Sequence, residues 1–316
     1  MEIAFGFDGT TGASGSKMKN GLPPHLTKID SMKSLTALVL DWALIGFCFA
    51  ASAYFESFFV YAISAVLIAR TQLALAVLMH ESAHGILIRN RNWNDRIGQI
   101  FTAGPLTVSL YDYRTGHLKH HQAPMVHDDP VAVIFKINDY PVSKKELAWR
   151  LFKDLTSISY FASVYEFLSG KHKNLLLRKN LSLKTKLFVA VSIFSFHCVL
   201  LGVLTFYGHM GLYFGLWILP SLTILQVFAR IRAITEHAGY PPNKDQTLNA
   251  RSIVRSNWQT FFCGPHNIHY HIEHHQYARV PFYRLKEAHD ILFSRGELPS
   301  ENLYSGYGKV LKDVTV

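Results

Sequence analysis

The sequence predicts an all-α integral membrane protein: four transmembrane helices in two hairpins, with a cytoplasmic helical cap holding clusters of histidine. Three observations predict it. Four apolar runs, Leu35–Tyr54, Phe58–Met79, Leu187–Tyr207 and Leu212–Phe228, approach the ~20 residues needed to cross a ~30 Å hydrocarbon core. The links within each pair, Phe55 to Ser57 and Gly208 to Gly211, are very short and carry no Lys or Arg. Of the 32 Lys and Arg, only Arg70 lies inside a span, so the positive-inside rule puts both termini and the large loops in the cytoplasm.

Composition agrees. Hydrophobic residues make up 49% of the 316 and charged residues 17%, against about 25% charged in a soluble domain, which disfavours disorder. The net charge of +10 is interrupted by the apolar runs, so anionic lipid head groups, not nucleic acid, are its expected counter-charge. Cys48, Cys198 and Cys263 stand far apart with no CxxC pair, which argues against disulfides, zinc ribbons and iron–sulfur clusters.

In chain order, residues 1–33 are polar and glycine-rich and read as a flexible tail, leaving 34–316 as one domain. Asp41 in the first span and Arg70 in the second lie at comparable depth and are expected to pair. The second span ends at the first histidine window, His80-Glu81-Ser82-Ala83-His84, whose two imidazoles at i and i+4 share a helix face. Ile97–Leu110, too short to span and broken by Gly104 and Pro105, reads as an interfacial or re-entrant segment. The second window follows, His117-Leu118-Lys119-His120-His121. From Val142 to Lys186 the chain is basic (Lys144, Lys145, Arg150, Lys153, Lys171, Lys173, Arg178, Lys179), with apolar Leu151, Leu155, Ile158 and Phe161, the pattern of amphipathic helix on a membrane surface. After the fourth span come His237 and the third window, His271-Ile272-Glu273-His274-His275, with Pro281 expected to end its helix.

Eight of the 17 histidines therefore fall in three five-residue windows. The expected topology brings all three windows, and His237, to one membrane face. Protonated together they would repel, so neutral imidazoles sharing bound metal is the economical explanation. Eight or nine nitrogens exceed one four-coordinate zinc and suit two metals with open positions. Glu81, Asp112, Asp128, Asp129, Glu236 and Glu273 stand close enough in sequence to accept the other imidazole N–H of a ligand. His266, Asn267 and His269, just before the third window, are expected behind the ligands or in a structural role. His80-Glu81-x-x-His84 also matches the HExxH zinc-protease pattern, but an intramembrane protease would leave the other two windows unexplained.

With these residues in place, the sequence resembles the membrane fatty acid desaturase superfamily of histidine-box oxygenases. The boxes match as HxxxH, HxxHH and HxxHH, within HESAHGILIRNRNWND, HLKHHQAPMVHDDP, EHAGYP and PHNIHYHIEHHQYARVPFYRL, over roughly Leu73 to Leu292. The resemblance implies a non-haem centre of two Fe ions that uses O2 as co-substrate, with His80, His84, His117, His120, His121, His237, His271, His274 and His275 as ligands. It implies desaturation of an acyl chain in a membrane lipid or acyl thioester, the alternative being a hydroxylase or ketolase using the same centre. The chain has no HPGG haem motif, so electrons would come from a separate ferredoxin-, rubredoxin- or cytochrome b5-type protein. It departs from some acyl desaturases in its HxxxH spacing, where they have HxxxxH, and in Ala233, where some carry Asn.

Overall fold

The computed structural model describes residues 21–171 and 181–316, and these are mostly helical. Four helical stretches among them are long and apolar enough to cross a membrane: Ser31–Phe55, Phe58–His84, Leu183–Phe206 and Met210–His237.

Helix α1 (Ser31–Phe55) starts at Asp30, whose side chain accepts from the N–H of Met32 and Lys33, the usual work of an N-cap carboxylate. After Glu56 and Ser57 the chain returns as α2 (Phe58–His84), packed along α1. It passes the expected end at Met79 and includes the whole first histidine window. It stops at Gly85 (φ 76), where the N–H groups of Gly85 and Ile86 bond the carbonyls of Ser82 and Glu81, a left-handed helix stop that suits glycine. A Cβ there would lie 1.8 Å from Nη1 of Arg91.

Helix α3 (Arg91–Gly98) leads into a π turn, Gln99–Ala103, and then α4 (Leu110–Gln122). The apolar stretch between folds back on itself and is held at both ends and from outside: Gln99 donates to the carbonyl of Val108 and to Ser192 of a later helix, and accepts from Leu110 N–H. Trp42 of α1 donates to the Phe101 carbonyl at 3.1 Å. Irregular backbone at membrane depth needs such partners.

The basic stretch forms α6 (Lys144–Leu155) and α7 (Ile158–Leu168), after the short α5 (Pro130–Phe135); its Lys173, Arg178 and Lys179 lie outside the described residues. Trp149, Phe152, Leu155, Ile158 and Phe161 are all about half exposed or more. Helix α8 (Leu183–Phe206) is apolar on every side and leaves Leu187, Val191, Phe194 and Val199 exposed.

The fourth span is longer than expected and broken. It consists of α9 (Met210–Leu212), a π turn Tyr213–Ile218, α10 (Leu219–Leu222), an irregular Thr223 and α11 (Ile224–His237). Pro220 removes a helical N–H and its ring crowds the preceding turn.

The remainder is α12 (Trp258–Cys263), α13 (His271–Gln276), α14 (Leu285–Ser294) and α15 (Tyr307–Asp313), tied by a parallel pair of two-residue strands, β1 (Ser252–Ile253) and β2 (Leu303–Tyr304). Helix α13 ends well before Pro281, where Tyr277 turns to φ −130, and Pro281 instead precedes a 3-10 turn, Phe282–Arg284. The tail expected through Lys33 is not free in its second part. Leu26 is wholly buried against Tyr270, Val280, Leu285 and Ala288, and His25 meets Glu287 at 2.7 Å; residues 1–20 lie outside the described residues.

The largest core joins α1 and α2 to the fourth span through Ile45, Phe49, Ile68, Leu75, Leu216 and Trp217, with Trp42 stacked on Trp217 at 6.0 Å. Inside it, Arg70 reaches Asp41 at 3.3 Å, the pair expected from sequence. A second core packs α15 and the 131–142 segment on α11 through Ile137, Ile234, Ile253 and Val310. Arg230 of α11 secures it, donating to both oxygens of Asp154 on α6 and to the Phe135 carbonyl.

Candidate metal centre

Helical angle decides where each histidine points. Consecutive helix residues are about 100° apart whereas i and i+4 nearly overlie one another, so an HxxHH box sends its first and last imidazoles one way and its middle one another. From α4, His117 and His121 join His80 and His84 of α2, while His120 turns aside. From α13, His271 and His275 join His120 and His237 of α11, while His274 crosses to the first group. Two clusters result: His80, His84, His117, His121 and His274, and His120, His237, His271 and His275; in each, one nitrogen per residue lies within 4.8 Å of all the others. The clusters adjoin, with His121 stacked on His275 at 4.2 Å between ring centres. All four imidazoles of the second are buried, whereas His84 and His121 in the first are partly exposed.

The nitrogens converge as shared ligands should. Nε2 of His274 lies 2.9 Å from Nε2 of His80 and 3.0 Å from that of His121. His84 faces His117, and His237 faces His271, each at 2.8 Å between Nε2 atoms. Two nitrogens each about 2.1 Å from one ion and about 90° apart would stand about 3.0 Å from each other. Nε2 of His275 is buried with no hydrogen-bond partner, an expensive state for a polar atom unless something unseen binds it. Burial first, then the charges of neighbouring groups, holds His117, His121, His271, His274 and His275 well below the ordinary imidazole range, so they present lone pairs instead of charge. The residues fit one metal ion per cluster.

Several predicted neighbours stand behind these rings. Both oxygens of buried Asp129 lie 2.9 Å from Nδ1 of His120, and the same carboxylate accepts from Met125 and Val131 N–H. Burial acts to raise its pKa, but these donors hold Asp129 below the usual carboxylate range. Glu236, held by Arg232 at 2.6 Å, places an oxygen 3.4 Å from Nδ1 of His271. Glu81 lies 3.5 Å from Nδ1 of His80 and accepts the N–H of Phe282; it is wholly buried, a poor position for a protease base.

Other candidates go elsewhere. Asp128 is at the surface with Lys119, and Asp112, in the first turn of α4, makes no hydrogen bond or ion pair to the nine histidines. Glu273 accepts from Ser252 and His289 and so ties α13 to β1 and α14 without touching a cluster. His266 donates to Asp41 at 2.7 Å, His269 to the Ile253 carbonyl at 2.7 Å, and Asn267 to the Phe282 carbonyl at 3.2 Å. Two partners escaped the sequence reading: Gln246, which accepts from His275 Nδ1 at 3.0 Å, and the Asn249 carbonyl, which accepts from His237 Nδ1 at 2.8 Å. No spacing rule marks either one. Tyr113, one helical turn before His117, stacks on its ring at 5.4 Å, and burial pushes its phenol up to about 12.

The comparisons with known proteins agree with this geometry. The family described as fatty acid desaturase matches residues 56–305. Dihydrorhizobitoxine desaturase of Bradyrhizobium elkanii is 26% identical over 274 residues, covering 83% of this chain and 76% of that protein. The sn-1 oleoyl-lipid 12-desaturase of Arthrospira platensis is 21% identical over 280 residues, 84% of this chain and 78% of its own. A shorter match, 28% over 105 residues, covers 33% of this chain and 29% of the sn-1 acyl-lipid omega-3 desaturase (ferredoxin) of Synechocystis sp.. A match that runs from the start of α2 through β2, with every box histidine inside it, makes this chain a member of the fatty acid desaturase family and an oxidoreductase.

Proposed function

We propose that this protein removes two hydrogens from an acyl chain of a membrane lipid or acyl thioester, in an O2-dependent reaction at a di-iron centre. The observation that carries this reading is the pair of adjoining clusters, five imidazoles beside four. Held by His80, His84, His117, His121 and His274 on one side and by His120, His237, His271 and His275 on the other, two irons would supply reduction of O2 and hydrogen abstraction from an unactivated C–H bond. The chain's own residues aim the nine imidazoles inward. Asp129, Gln246 and the Asn249 carbonyl occupy Nδ1 of His120, His275 and His237 and leave their Nε2 free, while Glu236 stands 3.4 Å from Nδ1 of His271.

The four spans form two hairpins with both termini and the histidine boxes on the cytoplasmic face, as the distribution of Lys and Arg supports. Exposed Trp149, Phe152 and Phe161, beside Lys144, Lys145 and Lys153, suit α6 and α7 to the head-group layer. A site at that layer receives an acyl chain from the bilayer and electrons from a soluble carrier. A ferredoxin-type donor is supported by the name of the Synechocystis relative.

High-resolution mass spectrometry of lipids from cells expressing the protein, compared with its His274→Ala variant, tests this. Products two hydrogens lighter, present only with the intact box, are expected. Products gaining one oxygen would move the reaction to hydroxylation at the same centre, and no difference in any lipid would overturn the acyl substrate.

A further inference from the structure

The two clusters differ little in ligand number but greatly in what stands behind the ligands. In the four-histidine cluster every Nδ1 faces an oxygen: Asp129 at 2.9 Å from His120, the Asn249 carbonyl at 2.8 Å from His237, Gln246 at 3.0 Å from His275 and Glu236 at 3.4 Å from His271. Two of those oxygens belong to carboxylates. In the five-histidine cluster the one oxygen so placed, among the described residues, is that of Glu81, 3.5 Å from His80. Nδ1 of His80 and of His274, like that of His271 in the four-histidine cluster, are buried without a hydrogen-bond partner; among the described residues, three of four Nδ1 atoms are hydrogen-bonded in that cluster and none of five in the other.

An acceptor behind an imidazole fixes which nitrogen carries the proton and makes the other a better donor; losing one such partner typically costs about 10–100-fold in metal affinity. Buried carboxylates also offset the charge of a dication in a dry site, which neutral imidazoles do not. Against these two carboxylates, the other cluster offers Glu81 alone and one more neutral ring.

Building on the two-metal reading above, we propose that the clusters are unequal sites. His120, His237, His271 and His275 take a divalent cation first and hold it more tightly, with Asp129 and Glu236 as the positioning residues responsible. The five-histidine cluster fills second and empties first.

The test is cobalt(II) titration of the metal-stripped, full-length protein in detergent, followed by the visible absorption of bound cobalt and by chelator competition. The wild type should show two binding events at least tenfold apart. Asp129→Asn keeps an acceptor for the start of α5 yet removes the charge, and should weaken the first event at least tenfold while leaving the second within twofold. Glu236→Gln should do the same, and serves where the first variant fails to fold. His237→Ala should abolish the tight event and His84→Ala the weak one. Two equal events, or a tight event lost in His84→Ala and kept in His237→Ala, would overturn the inequality while leaving two metals in place. Binding of a single cobalt by the wild type would instead overturn the two-metal reading, and this inference with it.

Discussion

Replacing Asp41 by asparagine should cost more stability than Arg70→Met, although each removes one partner of the same 3.3 Å contact. An arginine stays charged in any protein environment. Without Asp41, the Arg70 guanidinium keeps the Phe261 carbonyl at 3.1 Å and the Phe261 ring at 4.6 Å, neither of which carries a negative charge. Asp41 without Arg70 has two ways out, because His266 still donates to it at 2.7 Å and a carboxylate can take up a proton. The side chains are only 12% and 6% exposed, so water screens little. Leaving one member of a buried pair uncompensated costs about 3–5 kcal/mol. Asp41→Asn is expected in that range, Arg70→Met at or below its lower edge, and the double variant well short of their sum because no orphaned charge remains. The assay is a double-mutant cycle on unfolding in mixed detergent micelles. The reasoning fails if Arg70→Met unfolds more readily than Asp41→Asn, or if the double variant is no more stable than Asp41→Asn.

Three further outcomes are expected. Leu26→Ala should cost about 2–5 kcal/mol, as for other wholly buried leucines; a change near zero in the unfolding midpoint would mean that the 24–27 turn is not docked. Gly98→Ala would bring a methyl to 2.0 Å from Oγ and 2.6 Å from Cβ of Ser82, inside the first histidine box, for about 1–3 kcal/mol of overpacking. Adding Ser82→Gly should return part of this, short of the two Ser82–Asn94 hydrogen bonds it removes, and no rescue would place the strain elsewhere. Metal-stripped protein should weaken as pH falls below about 6.5, where the unfolded chain begins to bind protons that His117, His121, His271, His274 and His275, with lowered folded values, refuse. That stability is complete above the unfolded value and is lost at up to about 1.4 kcal/mol per pH unit for each group, so equal unfolding midpoints at pH 7 and pH 5.5 would contradict it.

The parts of this protein legible in its sequence are those governed by helical periodicity. The four long apolar stretches and the i, i+4 histidines needed no tertiary knowledge, and comparable depth sufficed to match Asp41 with Arg70. What escaped was set by contacts between distant segments. Gln246 and His289 serve residues of the third box and the Asn249 carbonyl serves His237, all from outside any motif, and each becomes visible only when α11, β1 and α14 are brought around α13. Glu273 sits inside a box yet faces away from both clusters, because its neighbours on the helix already claim the inward face. Asp128 and Asp129 are adjacent in sequence, but only Asp129 caps α5 and turns inward to His120. The docking of Leu26 escaped for a related reason: Leu22, Leu26 and Ile29, interrupted by Pro23 and Pro24, are too short a run to read as a packed face, and the buried partners of Leu26 lie some 250 residues downstream.

The convergence of His80 with His274 also has a consequence in time. They are separated by 194 positions, which a ribosome working at 5–20 residues per second takes roughly 10–40 s to cover. Through that interval the first two spans are already made while their histidines await the third box. Neither cluster can close before translation has passed the fourth span. An ion at His120, His237, His271 and His275 can therefore gather three of its four ligands only on a chain whose spans have all been synthesised, making delivery to that cluster a late step in maturation.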